Sequence, residues 1–181
     1  MIRLFIAINC DDGAKKLLLS VQDNIKTQSL KGNFSRPENL HLTLVFLGET
    51  QEEQVPAICA AIQEAMRPPI APFTLTFSQT GCFRHSGKEL WWIGANQTAP
   101  SLDILKNLRQ RITGGLSAAN IAYDNRPFKP HITLGREITH NKPIVLHQQD
   151  IALSVNRVSL MKSERINGAT VYTPIFEQAL G

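Results

Sequence analysis

Cysteine is scarce in this 181-residue chain: Cys10, Cys59 and Cys82 are odd in number, far apart and without a C-x-x-C pair. That excludes a disulfide framework and a cysteine-rich zinc site, and points to a reducing, cytoplasmic setting. No apolar run approaches the ~20 residues that span a bilayer. The apolar start, Met1 to Asn9, stops at Asp11-Asp12 without a small-residue cleavage site, so it does not read as a signal peptide. There is no Walker loop and no G-x-G-x-x-G, and no H-x-x-x-H, H-E-x-x-H or carboxylate-rich cluster accompanies His41 or His131, so neither a nucleotide-cradling loop, a catalytic metal nor any other cofactor is indicated. With 43% hydrophobic and 19% charged residues the composition is globular, which rules out a disordered or repetitive chain. A net charge of +4 is a mild bias toward anionic partners, too weak to mean nonspecific DNA binding.

Periodicity gives strands and helices in alternation. Arg3 to Asn9 reads as a strand, and Asp11 or Asp12 caps a helix carrying Ala14, Leu17, Leu18, Val21 and Ile25. Leu40 to Phe46 reads as a strand broken by Gly48, and a capping box at Thr50 to Glu53 opens a second helix that Pro68-Pro69 ends. Phe73 to Phe77 and Leu90 to Gly94 form a hairpin about a turn at Arg84 to Lys88, with Trp91 and Trp92 on opposite faces. A third helix carries Leu102, Leu105, Leu108 and Ile112 and stops or kinks at Gly114-Gly115. His131 to Arg136, Ile151 to Leu160 and Val171 to Phe176 complete the strands, the last entered through an Asn167-Gly168 turn. The fold class is therefore α+β, with a mostly antiparallel sheet.

Laid over itself, the chain repeats. Arg36-Pro37-x-x-Leu40-His41-Leu42-Thr43-Leu44 matches Arg126-Pro127-x-x-Pro130-His131-Ile132-Thr133-Leu134 at Arg, Pro, His, Thr and the final Leu, with an offset of 131 − 41 = 90. Alternation along a strand sets His and Thr on one face and Leu42, Leu44, Ile132 and Leu134 on the other. Residues two apart on a strand are about 6.5 to 7 Å apart, so a ring and a hydroxyl can address one small group such as a phosphate. Brought together about a pseudo-two-fold axis, the copies supply two imidazoles for proton transfer and two hydroxyls for phosphate oxygens. Arg36 and Arg126 precede turns, where carboxylates can pair with them. His85, His140 and His147 read as solvated.

These motifs, with Arg3-Leu4-Phe5-Ile6-Ala7-Ile8, Trp92-Ile93-Gly94 and the extended run Asn125 to Arg136, resemble the 2H phosphoesterase superfamily. Within it they resemble the LigT-like RNA 2′,3′-cyclic phosphodiesterases once called 2′-5′ RNA ligases. The resemblance covers nearly the whole chain and is least clear around Tyr172 to Glu177. It implies one bilobal domain over residues 1–181, with two antiparallel sheets facing a central cleft and helices outside. It further implies metal-independent opening of an RNA 2′,3′-cyclic phosphate to a 2′-phosphate, with His41 as proton donor and His131 as proton acceptor. Thr43, Thr133 and Arg136 would contact the phosphate, with Phe5 or Phe46 near the nucleotide. Simple alternation, however, puts Phe46 in the core. The expected partners are RNA ends, with no membrane and no second copy. The alternatives are a reversible 2′-5′ RNA ligase, a phosphodiesterase for another cyclic phosphate or a 2′-5′ linkage, and a noncatalytic RNA-end binding module.

Overall fold

The computed structural model describes residues 1–181 apart from the side chain of His85, so the reading of that histidine as solvated lies outside the described residues. In chain order the elements are β1 (Ile2–Asn9), α1 (Asp12–Thr27), β2 (Lys31–Phe34), β3 (His41–Thr50), α2 (Val55–Ala65), β4 (Phe73–His85), β5 (Lys88–Ala95), α3 (Ser101–Ala118), β6 (His131–Thr139), β7 (Ile151–Val155), β8 (Arg157–Ile166) and β9 (Ala169–Ala179). All strand pairs are antiparallel. The order β7-β4-β5-β6-β3-β1-β8-β9, with β2 on β6, is one curled sheet. Among the described residues no helix is long and apolar enough to cross a membrane.

The strand order reads the same from both ends. β1, α1 and β3 in one half answer β5, α3 and β6 in the other, and each half adds two outer strands. β3 and β6 join the halves through the single register pair Leu42 and Ile132, and β2 adds three further pairs to β6. These residues differ by the repeat offset, 132 − 42 = 90, so the local two-fold of an antiparallel pair coincides with the axis of the sequence repeat. The two sheets expected from the resemblance are thus joined at the motifs.

One face of the curl buries the core against the helices, including Leu4, Ile6, Leu42, Ile132, Leu134 and Leu160, all 0% exposed. Asp11 caps α1 by accepting from the Ala14 amide at 2.8 Å. Buried Gln22 of α1 donates to the Ser35 carbonyl at 2.9 Å and the Leu134 carbonyl at 2.6 Å, which ties the first helix to the opposite half. Arg109 of α3 donates to the Leu44 carbonyl at 3.0 Å, the reciprocal tie.

Several expectations are corrected. β3 runs through Gly48, whose φ of +75° bends the strand rather than ending it. Gly114 and Gly115 lie inside α3; a Cβ on Gly115 would stand 3.1 Å from the Ala61 Cβ, so this glycine is where α2 and α3 touch. The capping box is formed by Gln51 and Gln54, one residue later than expected. Ile151 to Leu160 is two strands parted at Asn156, one pairing β4 and the other β1. β2 carried no strand signal. The turns Ser86-Gly87 and Asn167-Gly168 both have positive φ throughout, as two-residue hairpins of this twist require.

Candidate active site

Both motifs open onto a cavity of about 370 Å³ on the face opposite the core, lined by His41, Thr43, His131, Thr133, Arg136, Phe5 and Phe46 among others. The antiparallel pairing about Leu42 and Ile132 sets Thr43 toward His131 and His41 toward Thr133. All seven expected residues therefore meet.

Each histidine is held the same way. His41 Nδ1 lies 2.7 Å from the Asn39 carbonyl and His131 Nδ1 2.6 Å from the Lys129 carbonyl, again positions 90 apart (129 − 39). A carbonyl only accepts, so Nδ1 carries the proton in both rings and Nε2 is left for chemistry in the cleft. His41 Nε2 is 3.0 Å from Thr43 Oγ1.

The surroundings break the symmetry. Phe5 packs on His41 at 4.9 Å between ring centres, and Tyr172 meets the same ring edge-on at 5.2 Å. Burial lowers the His41 pKa below its ordinary value; the hydrogen bond to the Asn39 carbonyl opposes this, while the charges of Arg136 and His131 reinforce it. His131 is more open, flanked by Phe83 at 6.1 Å and Trp92 at 6.2 Å. Trp91 is the core member of the tryptophan pair, its Nε1 donating to buried Glu89 at 2.8 Å.

Phe46 is in the cleft, against simple alternation. The register steps from Ile6 opposite Val45 to Ala7 opposite Thr43, leaving Leu44 as an extra residue. This bulge makes Leu44 and Val45 both face inward and returns Phe46 to the side of His41. Phe5 is buried, yet in the small cluster on the cleft face with Ala7 and Met161, not in the main core.

Arg3, Ser163, Thr170 and Tyr172 also line the cavity and were not anticipated. Tyr172 was within reach of the sequence, since it follows the Asn167-Gly168 turn on a strand; nothing local told which strand it joins. Arg126 pairs with Asp124 through Nε at 2.8 Å, while Arg36 approaches Glu38 only to 4.0 Å. His140 is not a free surface residue, because its Nε2 donates to Glu89 at 2.9 Å; His147 is exposed as expected. Among the described residues no three His, Cys, Asp or Glu side chains gather as a metal site would require.

A two-histidine cleft on a duplicated antiparallel sheet defines a phosphoesterase-like class, and the relatives agree. Residues 19–167 match the model of the 2′-5′ RNA ligase superfamily, and the chain belongs to that family. It is 32% identical to the RNA 2′,3′-cyclic phosphodiesterase of Escherichia coli, over 79% of this chain and 77% of that one. It is 30% identical to the protein of that name from Thermus thermophilus, over 94% and 86%. Among solved structures it resembles E. coli LigT complexed with 3′-AMP, with a TM-score of 0.80 and 27% identity over 99% of this chain and 98% of that one.

Proposed function

We propose that this protein hydrolyses RNA 2′,3′-cyclic phosphate ends to 2′-phosphomonoesters, using two histidines and no metal. The observation that carries the reading is the paired geometry: two imidazoles on one dyad, each with Nδ1 anchored and Nε2 left for the cavity. The named relatives supply the substrate class, and the chemistry agrees with it, because a 2′,3′-cyclic phosphate needs the 2′-oxygen that only RNA has.

In this reading neutral His131 takes a proton from water as the water oxygen bonds to phosphorus. The bond from phosphorus to O3′ breaks in line, and protonated His41 delivers its proton to the departing oxygen. The ribose keeps the phosphate on O2′. Thr43, Thr133 and Arg136 hold the nonbridging oxygens, where charge builds. The lowered pKa of His41 keeps the resting ring neutral, and the arriving phosphate anion favours its charged form at the moment a donor is needed. Phe5, Phe46 and Tyr172 lie on the His41 side, which the departing ribose oxygen also fixes as the side of the terminal nucleoside.

The test is incubation with a 2′,3′-cyclic-phosphate oligoribonucleotide in EDTA. Formation of a 2′-phosphate is expected. Loss of activity on chelation, or a 3′-phosphate product, rejects the mechanism.

A further inference from the structure

We propose that the groove between the β2–β3 connection and the β8–β9 hairpin carries the RNA strand leading to the cyclic end, gripped by Arg36 and Arg165 on opposite walls. This rests on the reaction above, which puts the terminal nucleoside on the side of His41 and Tyr172. From there the cavity opens past Thr170, Tyr172 and Arg136 into a groove of about 670 Å³ whose walls hold Arg36 and Arg165. Neither arginine lines the catalytic cavity itself.

The dyad offers a second route. A groove of about 540 Å³ opens beside His131 and contains Arg126, which the repeat makes the counterpart of Arg36. The two arginines are not in the same state. Arg126 is held by Asp124, whose carboxyl it pulls down to about 2, and the neighbouring Arg109 is engaged by the Leu44 carbonyl and the Phe128 ring. The Arg126 charge is matched and Arg109 spends its Nε donor on the main chain, which leaves Lys129 and Arg109 as that groove's own cations without an ion pair among the described residues, both on the His131 side and away from the terminal nucleoside. Arg36 has only the distant Glu38 as a carboxylate, and Arg165 and Arg136 have none within ion-pair distance among the described residues. Glu137, the acid in that groove, is already matched by Lys88 at 2.9 Å and Asn33 at 2.9 Å. Guanidinium groups without carboxylate partners are suited to phosphate oxygens. Between the arginines the lining holds Ser35, Asn39 and Thr170 with the Phe34 and Tyr172 rings, and the guanidinium contacts to phosphate carry no base preference of their own.

The consequence is a preference for chain ends over mononucleotides. The measurement compares kcat/KM for a 2′,3′-cyclic-phosphate oligoribonucleotide with that for a 2′,3′-cyclic mononucleotide, in the wild type and in Arg36→Ala/Arg165→Ala. The double variant is expected to lose about tenfold on the oligonucleotide through KM and to match the wild type on the mononucleotide. Its plot of log kcat/KM against log salt for the oligonucleotide should flatten by about 0.7 per lost phosphate contact. Equal losses on both substrates, no loss on either, or the same selective loss from Arg126→Ala/Lys129→Ala instead overturns the proposal. Wild-type inactivity on both substrates would overturn the reaction itself. Fluorescence anisotropy with a 2′-phosphate-ended oligonucleotide then reads the groove directly, and equal affinity of wild type and double variant rejects it.

Discussion

Two imidazoles that share one displacement do not contribute independently. His41→Ala and His131→Ala should each lower kcat by about 10² to 10⁴ while the protein stays folded, because both rings are on the cleft face. The double variant should be little worse than the poorer single one, and strictly multiplicative losses in steady-state assays would mean separate sites. The pH dependence has a definite sign. Burial favours neutral His41, so the free ring should lose its proton below the ordinary imidazole value of about 6.5. One limb of the kcat/KM profile, which reports the free enzyme, should therefore lie below that value. The same limb should move up in kcat, because the bound phosphate anion favours the imidazolium. Titration of the His41 ring by NMR in the free protein checks the origin; a midpoint at or above the ordinary value would remove burial as the cause. The histidines and threonines were legible because strand alternation and the 90-residue echo need only local sequence. The anchoring carbonyls of Asn39 and Lys129 were not, since main-chain acceptors leave no mark in residue type.

β3 shows how a single extra residue changes a site. Without the bulge at Leu44, Phe46 would face the core and Arg3 would lose the ring it covers at 5.0 Å. Phe46→Ala should raise KM for a 2′,3′-cyclic nucleotide about tenfold, within the ~1 to 3 kcal/mol that base stacking contributes, and leave kcat nearly unchanged; a change in kcat alone would take Phe46 out of nucleotide binding. At the helices, Gly115→Leu should destabilise by about 1 to 3 kcal/mol in urea unfolding, since the side chain must part α2 from α3. A bulge is a property of two paired strands, so alternation along β3 alone could not reveal it. The same holds at Asn156: no glycine or proline interrupts Ile151 to Leu160, and only pairing with β4 and β1, both distant in sequence, divides it into two strands. Helix α1, in contrast, was readable to its cap, because Asp11 and the apolar stripe act within a few turns.

The duplicated halves could have been separate folding units, yet the interior argues otherwise. Helix α1 follows a strand of one half and is tied through Gln22 to β6 of the other, while α3 makes the reverse tie to β3 through Arg109. The main core draws buried apolar residues from both halves into one cluster, so removing either half would expose the underside of the other. From this exchange we infer a single cooperative unit. Trp91 and Trp92 both lie on β5, so tryptophan fluorescence reports one half and far-ultraviolet circular dichroism reports the whole. The two probes should give coincident urea transitions. Leu160→Ala, at a fully buried position of β8 in the half without tryptophan, should shift both transitions together, by about 2 to 5 kcal/mol. A fluorescence midpoint that stays put while the circular dichroism splits would show that the halves unfold separately. The paired-histidine cleft would then depend on docking between two domains, since Leu42 and Ile132 are the one register pair that joins β3 to β6 and carries the histidines on either side.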